Sequence, residues 1–235
     1  MINDGLTTAT TTTTTTITNI STATMGPSRR IYSCDYVTDF LRQVLYHNEA
    51  HSTTLLICST REHFLEQLVA AIRAPAEGNA ALEGSLLLTT KTIGLLSQSS
   101  KIRLVFCPTL ENLRAYISVL SMANTKPQES NRQPLLGVLN LLALHRSTSE
   151  FSAQGLSRTL AAAVEVTAKQ GVDLVLCECL DAMDGTDGGR EALWSVQVPL
   201  LNQTARFGAE ESTGRGGNVT VKRVAQRWFE FNEDN

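Results

Sequence analysis

The sequence predicts an α/β domain built on a mainly parallel sheet with helices on both faces, and two observations predict it. Short continuous apolar runs alternate along the chain with longer stretches whose apolar residues recur at helical spacing. The runs also lack the apolar–polar alternation of a strand with one wet face, so they read as strands covered on both sides.

The elements follow in order. Residues 1–27 are threonine-rich and almost free of large apolar side chains, too poor in buriable surface to offset their ordering entropy; they read as a disordered tail, with the domain running from Ser28 to Asn235. Residues 35–46 place Val37, Phe40, Leu41, Val44 and Leu45 at helical spacing. Leu55-Leu56-Ile57-Cys58 is a buried strand. Residues 61–73 form a helix with Phe64, Leu65, Leu68, Val69 and Ile72 on one face and Ser59 or Thr60 as its N-cap. Residues 102–107 read as a strand, Pro108-Thr109 as a turn and 110–122 as a helix; 123–134 is a polar, proline-bearing loop. Residues 135–144 are too apolar for an exposed strand. The helix over 152–170, with Leu156, Leu160, Val164 and Thr167 on one face, stops at Gly171, and 172–178 is another buried strand. Residues 181–217 are rich in Gly, Asp and Arg around the apolar patch Trp194–Leu201. The last run, 219–231, alternates well enough for a strand with Val219, Val221, Val224, Trp228 and Phe229 toward the core, and would add an antiparallel edge.

Composition sets limits on function. The chain of 235 residues is long enough for one sizeable core. Its charged share of 18% is low, which suits a protein that rests against a partner. A net charge of −3 gives no overall drive toward nucleic acid, although a local basic patch is compatible with it. The odd count of five cysteines, Cys34, Cys58, Cys107, Cys177 and Cys179, set within apolar runs, points to reduced thiols in a cytosolic or nuclear protein. No run approaches the ~18 apolar residues of a membrane span, and no apolar signal region opens the chain.

Residues 135–185 carry a more specific layout. An apolar strand, a polar Ser-containing loop, Phe151-Ser152-Ala153-Gln154 opening a helix, Gly171-Val172 and a further strand resemble the segment of RecA-type recombinases from the Walker B strand to the next core strand. Upstream, Phe106-Cys107-Pro108-Thr109 with Leu113-Arg114-Ala115-Tyr116 looks like the second core strand and its helix. Residues 219–231 resemble a late core strand, so the resemblance spans roughly residues 52–231. Within that superfamily the chain is similar to divergent recombinase paralogues of the Shu type. The resemblance implies a RecA-like domain, a nuclear role in homologous recombination, and a hetero-oligomer with a related paralogue or a SWIM-domain protein near single-stranded DNA.

The residues that would carry ATP chemistry are missing. A P-loop needs glycines for backbone donors, a lysine for the β/γ-phosphates and a hydroxyl for Mg²⁺. The place expected for it, Ser59-Thr60-Arg61, followed by Glu62-His63-Phe64, has neither glycine nor lysine, and Glu62 repels phosphate. The Walker B position reads Leu139-Asn140, with a leucine where the metal-binding aspartate would stand. No cofactor and no catalytic residue are therefore expected.

Other constellations are weak. Cys177-Glu178-Cys179 is at most half a zinc site, with no second pair to complete four ligands, so no metal is expected. Glu178, at the end of its strand, suits an N-cap or a partner contact. The histidines His47, His51, His63 and His145 show no triad spacing, and Gly155-Leu156-Ser157 lacks the second glycine of a nucleophile elbow. The glycine-rich stretches 185–190 and 214–217 read as loops. In RecA-type folds the stretch after the sensor strand contacts DNA; Arg190, Arg206, Arg215, Lys222, Arg223 and Arg227 give that third of this chain a basic character and are the candidate DNA contacts. Two further readings stay open: a RecA-like structural subunit of an Elongator-type tRNA-modification assembly, which would be cytoplasmic, and a divergent nucleotide-binding enzyme.

Overall fold

The computed structural model describes residues 26–47, 52–73, 90–120, 133–179, 194–200 and 217–231. Six strands form one all-parallel sheet: β1 (Arg29–Ser33), β2 (Thr53–Ile57), β3 (Ile102–Phe106), β4 (Leu135–Leu139), β5 (Asp173–Glu178) and β8 (Glu230–Phe231). Their order across the sheet is β3-β2-β4-β5-β1-β8. In a separate two-stranded sheet, β6 (Gln197–Pro199) pairs antiparallel with β7 (Asn218–Thr220).

The helices divide between the two faces. On one lie α1 (Val37–Arg42), running into a π-helical turn at Gln43–His47, and α2 (Arg61–Arg73). Phe40, Val44 and Phe64 pack there against Leu55, Ile57, Leu135, Leu139 and Val175. On the other lie α4 (Leu110–Val119), α5 (Leu141–Arg146), α6 (Ala153–Gln170) and α7 (Val221–Ala225). Leu113, Ile117, Leu156, Leu160 and Val224 cover Ile31, Leu56, Leu136, Val138, Leu174 and Leu176 on that side. The short α3 (Ile93–Ser99) precedes β3. This is the parallel α/β layout the apolar runs predict and is consistent with the RecA-like fold the resemblance implies, and β2, β4 and β5 are the strands buried on both faces. Among the described residues no helix is long and apolar enough to cross a membrane.

Capping explains most boundaries. Thr60, Thr92, Thr109, Ser152 and Thr220 each accept, at the side-chain oxygen, the backbone N–H three residues on, at 3.1–3.3 Å. Gly171 ends α6 in the left-handed region at φ +64°, the conformation expected of it.

Four expectations change. Strand β1 was not foreseen, because Arg29-Arg30-Ile31-Tyr32-Ser33 carries few apolar residues; it nevertheless stands inside the sheet between β5 and β8. Residues 219–231 are not one strand: Thr220 caps α7, which buries Val221, Val224 and Ala225 at helical spacing, and β8 then pairs with β1 in parallel, not antiparallel. The apolar run 135–144 divides at Asn140 into β4 and α5. On α2, Leu65 and Val69 are exposed although they share the predicted apolar stripe. Residues 1–25, most of the loop 123–134, and the glycine-rich stretches 185–190 and 214–216 lie outside the described residues.

Candidate functional site

All six main strands run the same way, so their carboxyl ends share one edge of the sheet. Ligands in open α/β sheets bind at that edge where neighbouring strands send their connections to opposite faces. One such point lies between β2, which leads to α2 on one face, and β4, which leads to α5 and α6 on the other. The two positions read from sequence as degenerate nucleotide motifs, Ser59-Thr60-Arg61 and Leu139-Asn140, meet there, with the Cys58 N–H donating to the Leu139 carbonyl at 3.0 Å.

The edge is closed by the chain's own side chains. Thr60 spends its hydroxyl oxygen on the His63 N–H at 3.1 Å. Leu139 is buried against α1 and α2. Asn140 takes the left-handed conformation at φ 61° and ψ 39°, and its Oδ1 accepts the Cys179 N–H at 3.0 Å, tying the end of β4 to the end of β5. Glu178 reaches across from β5, and its Oε1 accepts the Leu142 N–H at 2.7 Å, with Oε2 at 3.4 Å from the Ala143 nitrogen. The first free N–H groups of α5, which would otherwise greet an anion, are thereby occupied. Burial pushes the Glu178 carboxyl up to about 8, against the lowering pull of those backbone donors. This is the capping role that a polar residue at this strand end suggested.

The five cysteines gather at the same edge and are all buried and free. Burial raises Cys58 well above the usual thiol range, and Glu178 and Cys107 add to the rise. Burial likewise raises Cys177, whose Sγ lies 3.5 Å from that of Cys179, with Cys34 also contributing. Protonated, buried thiols are poor nucleophiles and poor metal ligands. Among the described residues no group of three or more His, Cys, Asp or Glu is arranged to hold a metal ion. The turn after β1, Cys34-Asp35-Tyr36, is a second strand-to-helix turn at this edge, and it too lacks glycine and lysine.

Sequence reasoning missed a polar cluster on the α4–α6 face. Arg114 donates from Nη2 to Glu150 Oε2 at 2.5 Å and to Thr159 Oγ1 at 3.1 Å, and from Nε to the same hydroxyl at 3.2 Å. His145 Nε2 lies 3.0 Å from that hydroxyl. Burial and the Arg114 charge push His145 down to about 4, so its ring is neutral. The pairs are 14 to 45 residues apart in sequence, so no local spacing announces them. Gly155 permits the cluster: a Cβ there would lie 2.1 Å from the Glu150 carbonyl oxygen.

Of the six candidate DNA contacts, Arg190, Arg206 and Arg215 lie outside the described residues. Lys222 Nζ sits 5.2 Å from the centre of the Phe231 ring, and the Arg227 guanidinium 5.5 Å from that of Trp228. Arg223 and Arg227 line a groove of about 710 Å³ between α6 and α7, where they face Arg158 of α6. Arg158 is not among the sequence's candidate DNA contacts, because it stands 65 residues before Arg223.

Comparison with curated proteins finds no match for the chain. A family profile described as SPAC22G7.03-like matches residues 31–231, from β1 to the last residue of β8. The chain belongs to the SPAC22G7.03-like family.

Proposed function

We propose that this chain is a non-catalytic, RecA-like accessory subunit in homologous recombination, which works by presenting its surface to a related recombinase paralogue or a SWIM-domain protein. One observation carries the non-catalytic half of the reading. At the switch point where a nucleotide would sit, the α5 N–H donors are held by Glu178, the strand end is tied by Asn140, and neither adjoining turn has a glycine or lysine to hold phosphate. The recombination half rests on the resemblance of residues 52–231 to recombinase paralogues, and with it goes the expectation of a nuclear protein.

The test has two arms. Affinity purification of the tagged chain from its own cells, followed by mass spectrometry, is expected to recover a recombinase paralogue or a SWIM-domain protein. Elongator subunits in their place would move the chain to tRNA modification, and recovery of no stable partner would remove the scaffold reading. In the second arm, millimolar Mg-ATP is expected to leave the melting temperature unchanged. A saturable upward shift would show nucleotide binding, and release of inorganic phosphate from the bound ATP would overturn the non-catalytic reading.

A further inference from the structure

We propose that the groove between α6 and α7 docks an acidic, amphipathic segment of a partner protein, apolar side chains inward and carboxylates against three arginines. The inference is independent of the recombination reading. It rests on the shape of the groove and on three exposed arginines along its rim, with no carboxylate among the residues that line it.

Ser157 and Ala161 stand one turn apart on α6, and their small side chains open a trough along the helix. Val224 and Trp228 form the opposite wall, and the 710 Å³ volume falls within the roughly 300–1,000 Å³ typical of sites that enclose a ligand. The rim is cationic. Arg158, Arg223 and Arg227 are all exposed, and Arg223 has no ion-pair partner among the described residues. Arg158 reaches Glu150 only at 3.6 Å, and that carboxylate is already held by Arg114 at 2.5 Å. An apolar floor under a rim of three exposed arginines, with no carboxylate among the residues that line the groove, matches a helix or strand with one apolar stripe bordered by Asp or Glu.

Nucleic acid fits the same groove less well. A phosphate backbone would satisfy the arginines but has no apolar side chain to fill the trough. The aromatic ring that might stack a base, Trp228, is half-buried and already carries the Arg227 guanidinium.

Fluorescence anisotropy on the full chain decides between them. The probe is a labelled peptide of about 16 residues with leucines at i and i+4 on an otherwise Glu-rich helix. Its controls are the same peptide with Leu replaced by Ala, the same peptide with Glu replaced by Lys, and labelled oligo-dT. The acidic leucine peptide is expected to bind. Affinity should fall about tenfold or more in the R223E/R227E double variant, and equally in Ala161→Phe, which fills the trough and leaves every charge in place. Circular dichroism and melting of both variants should match the parent. If Ala161→Phe binds unchanged, or the alanine peptide binds as well as the leucine peptide, the groove plays no part. Tighter, arginine-dependent binding of oligo-dT would assign the surface to nucleic acid instead, and absence of peptide binding would also overturn the proposal.

Discussion

The carboxyl of Glu178, at the end of β5, holds the backbone N–H of Leu142, in the first turn of α5, at 2.7 Å. The contact gives α5 a capping acceptor from a different element, because Asn140, the residue in the capping position, directs its own side chain to Cys179. The start of α5 is thus an internal joint, its first backbone donors taken up by a side chain of the neighbouring strand.

That joint makes stability depend on pH in a definite direction. Burial raises the Glu178 carboxyl from 4.5 to about 8 in the folded chain. A raised folded value means the native state holds a proton that the unfolded chain releases. The contribution is therefore fully present below pH 4.5 and lost as pH climbs toward 8. Relative to Glu178→Gln, which cannot ionise and keeps a carbonyl acceptor for Leu142, the parent should lose about 3 kcal/mol between pH 5 and pH 8. Urea denaturation of both proteins at the two pH values measures this. An unchanging difference would mean the carboxyl is already ionised in the fold.

The acid side has a different origin. His145 is pushed down to about 4 by burial and by Arg114, from an ordinary 6.5. Here the unfolded chain binds the proton more readily, so stability is lost as pH falls from 6.5 toward 4. His145→Gln retains a polar contact to Thr159 and removes the titration. Its denaturation midpoint should fall less steeply than the parent's between pH 6.5 and pH 4.5, with about 2 kcal/mol separating the two slopes. Parallel curves would exclude His145 as the source.

The parts of the structure that were legible are those whose signal is local. Continuous apolar runs mark β2, β4 and β5 because a strand covered on both faces needs apolar residues at every position. Residues 61–73 match α2 end to end, and Gly171 marks the stop of α6. Strand β1 escaped notice because Arg29 and Arg30 open it and only Ile31 of its residues is a buried aliphatic. Residues 219–231 misled because Val219 and Val221 satisfy a two-residue period while Val221, Val224 and Ala225 satisfy a helical one; the Thr220 cap decides in favour of the helix. The candidate site divides the same way. Missing glycines and lysine are read directly, but the groove needs Arg158 brought to Arg223, which only the packing of α7 on α6 accomplishes.

Arg114 joins α4 to the start of α6 through a fork, and that geometry predicts a difference between two substitutions. Its Nε and Nη2 share the buried Thr159 hydroxyl while Nη2 also reaches Glu150. Lysine carries the charge but a single donor point, so Arg114→Lys should recover little of what Arg114→Ala loses. Loss of charged hydrogen bonds to a buried hydroxyl costs about 1.5–3 kcal/mol, and thermal melting should place both variants well below the parent. A lysine variant as stable as the parent would show that charge alone matters at this joint.

Asn140 combines two demands that substitution can separate. Its backbone is left-handed, which favours Gly or Asn over other residues, and its Oδ1 serves the buried Cys179 N–H. Asn140→Gly satisfies the first demand and drops the second, leaving an unpaired buried donor at about 1–3 kcal/mol. Asn140→Ala fails both, adding about 1 kcal/mol of left-handed strain. Asn140→Asp preserves the acceptor and tolerates the conformation, yet sets a carboxylate at an edge that already buries Glu178. The expected order of stability at pH 7 is therefore Asn, then Gly, then Ala, with the Asp variant gaining on the others as pH falls and its carboxyl protonates. Denaturant midpoints for the four proteins at pH 5 and pH 7 give the ranking. An alanine variant equal to glycine would show that the turn at the end of β4 relaxes out of the left-handed region, and an Asp variant indifferent to pH would show that the edge is wet enough to carry a carboxylate.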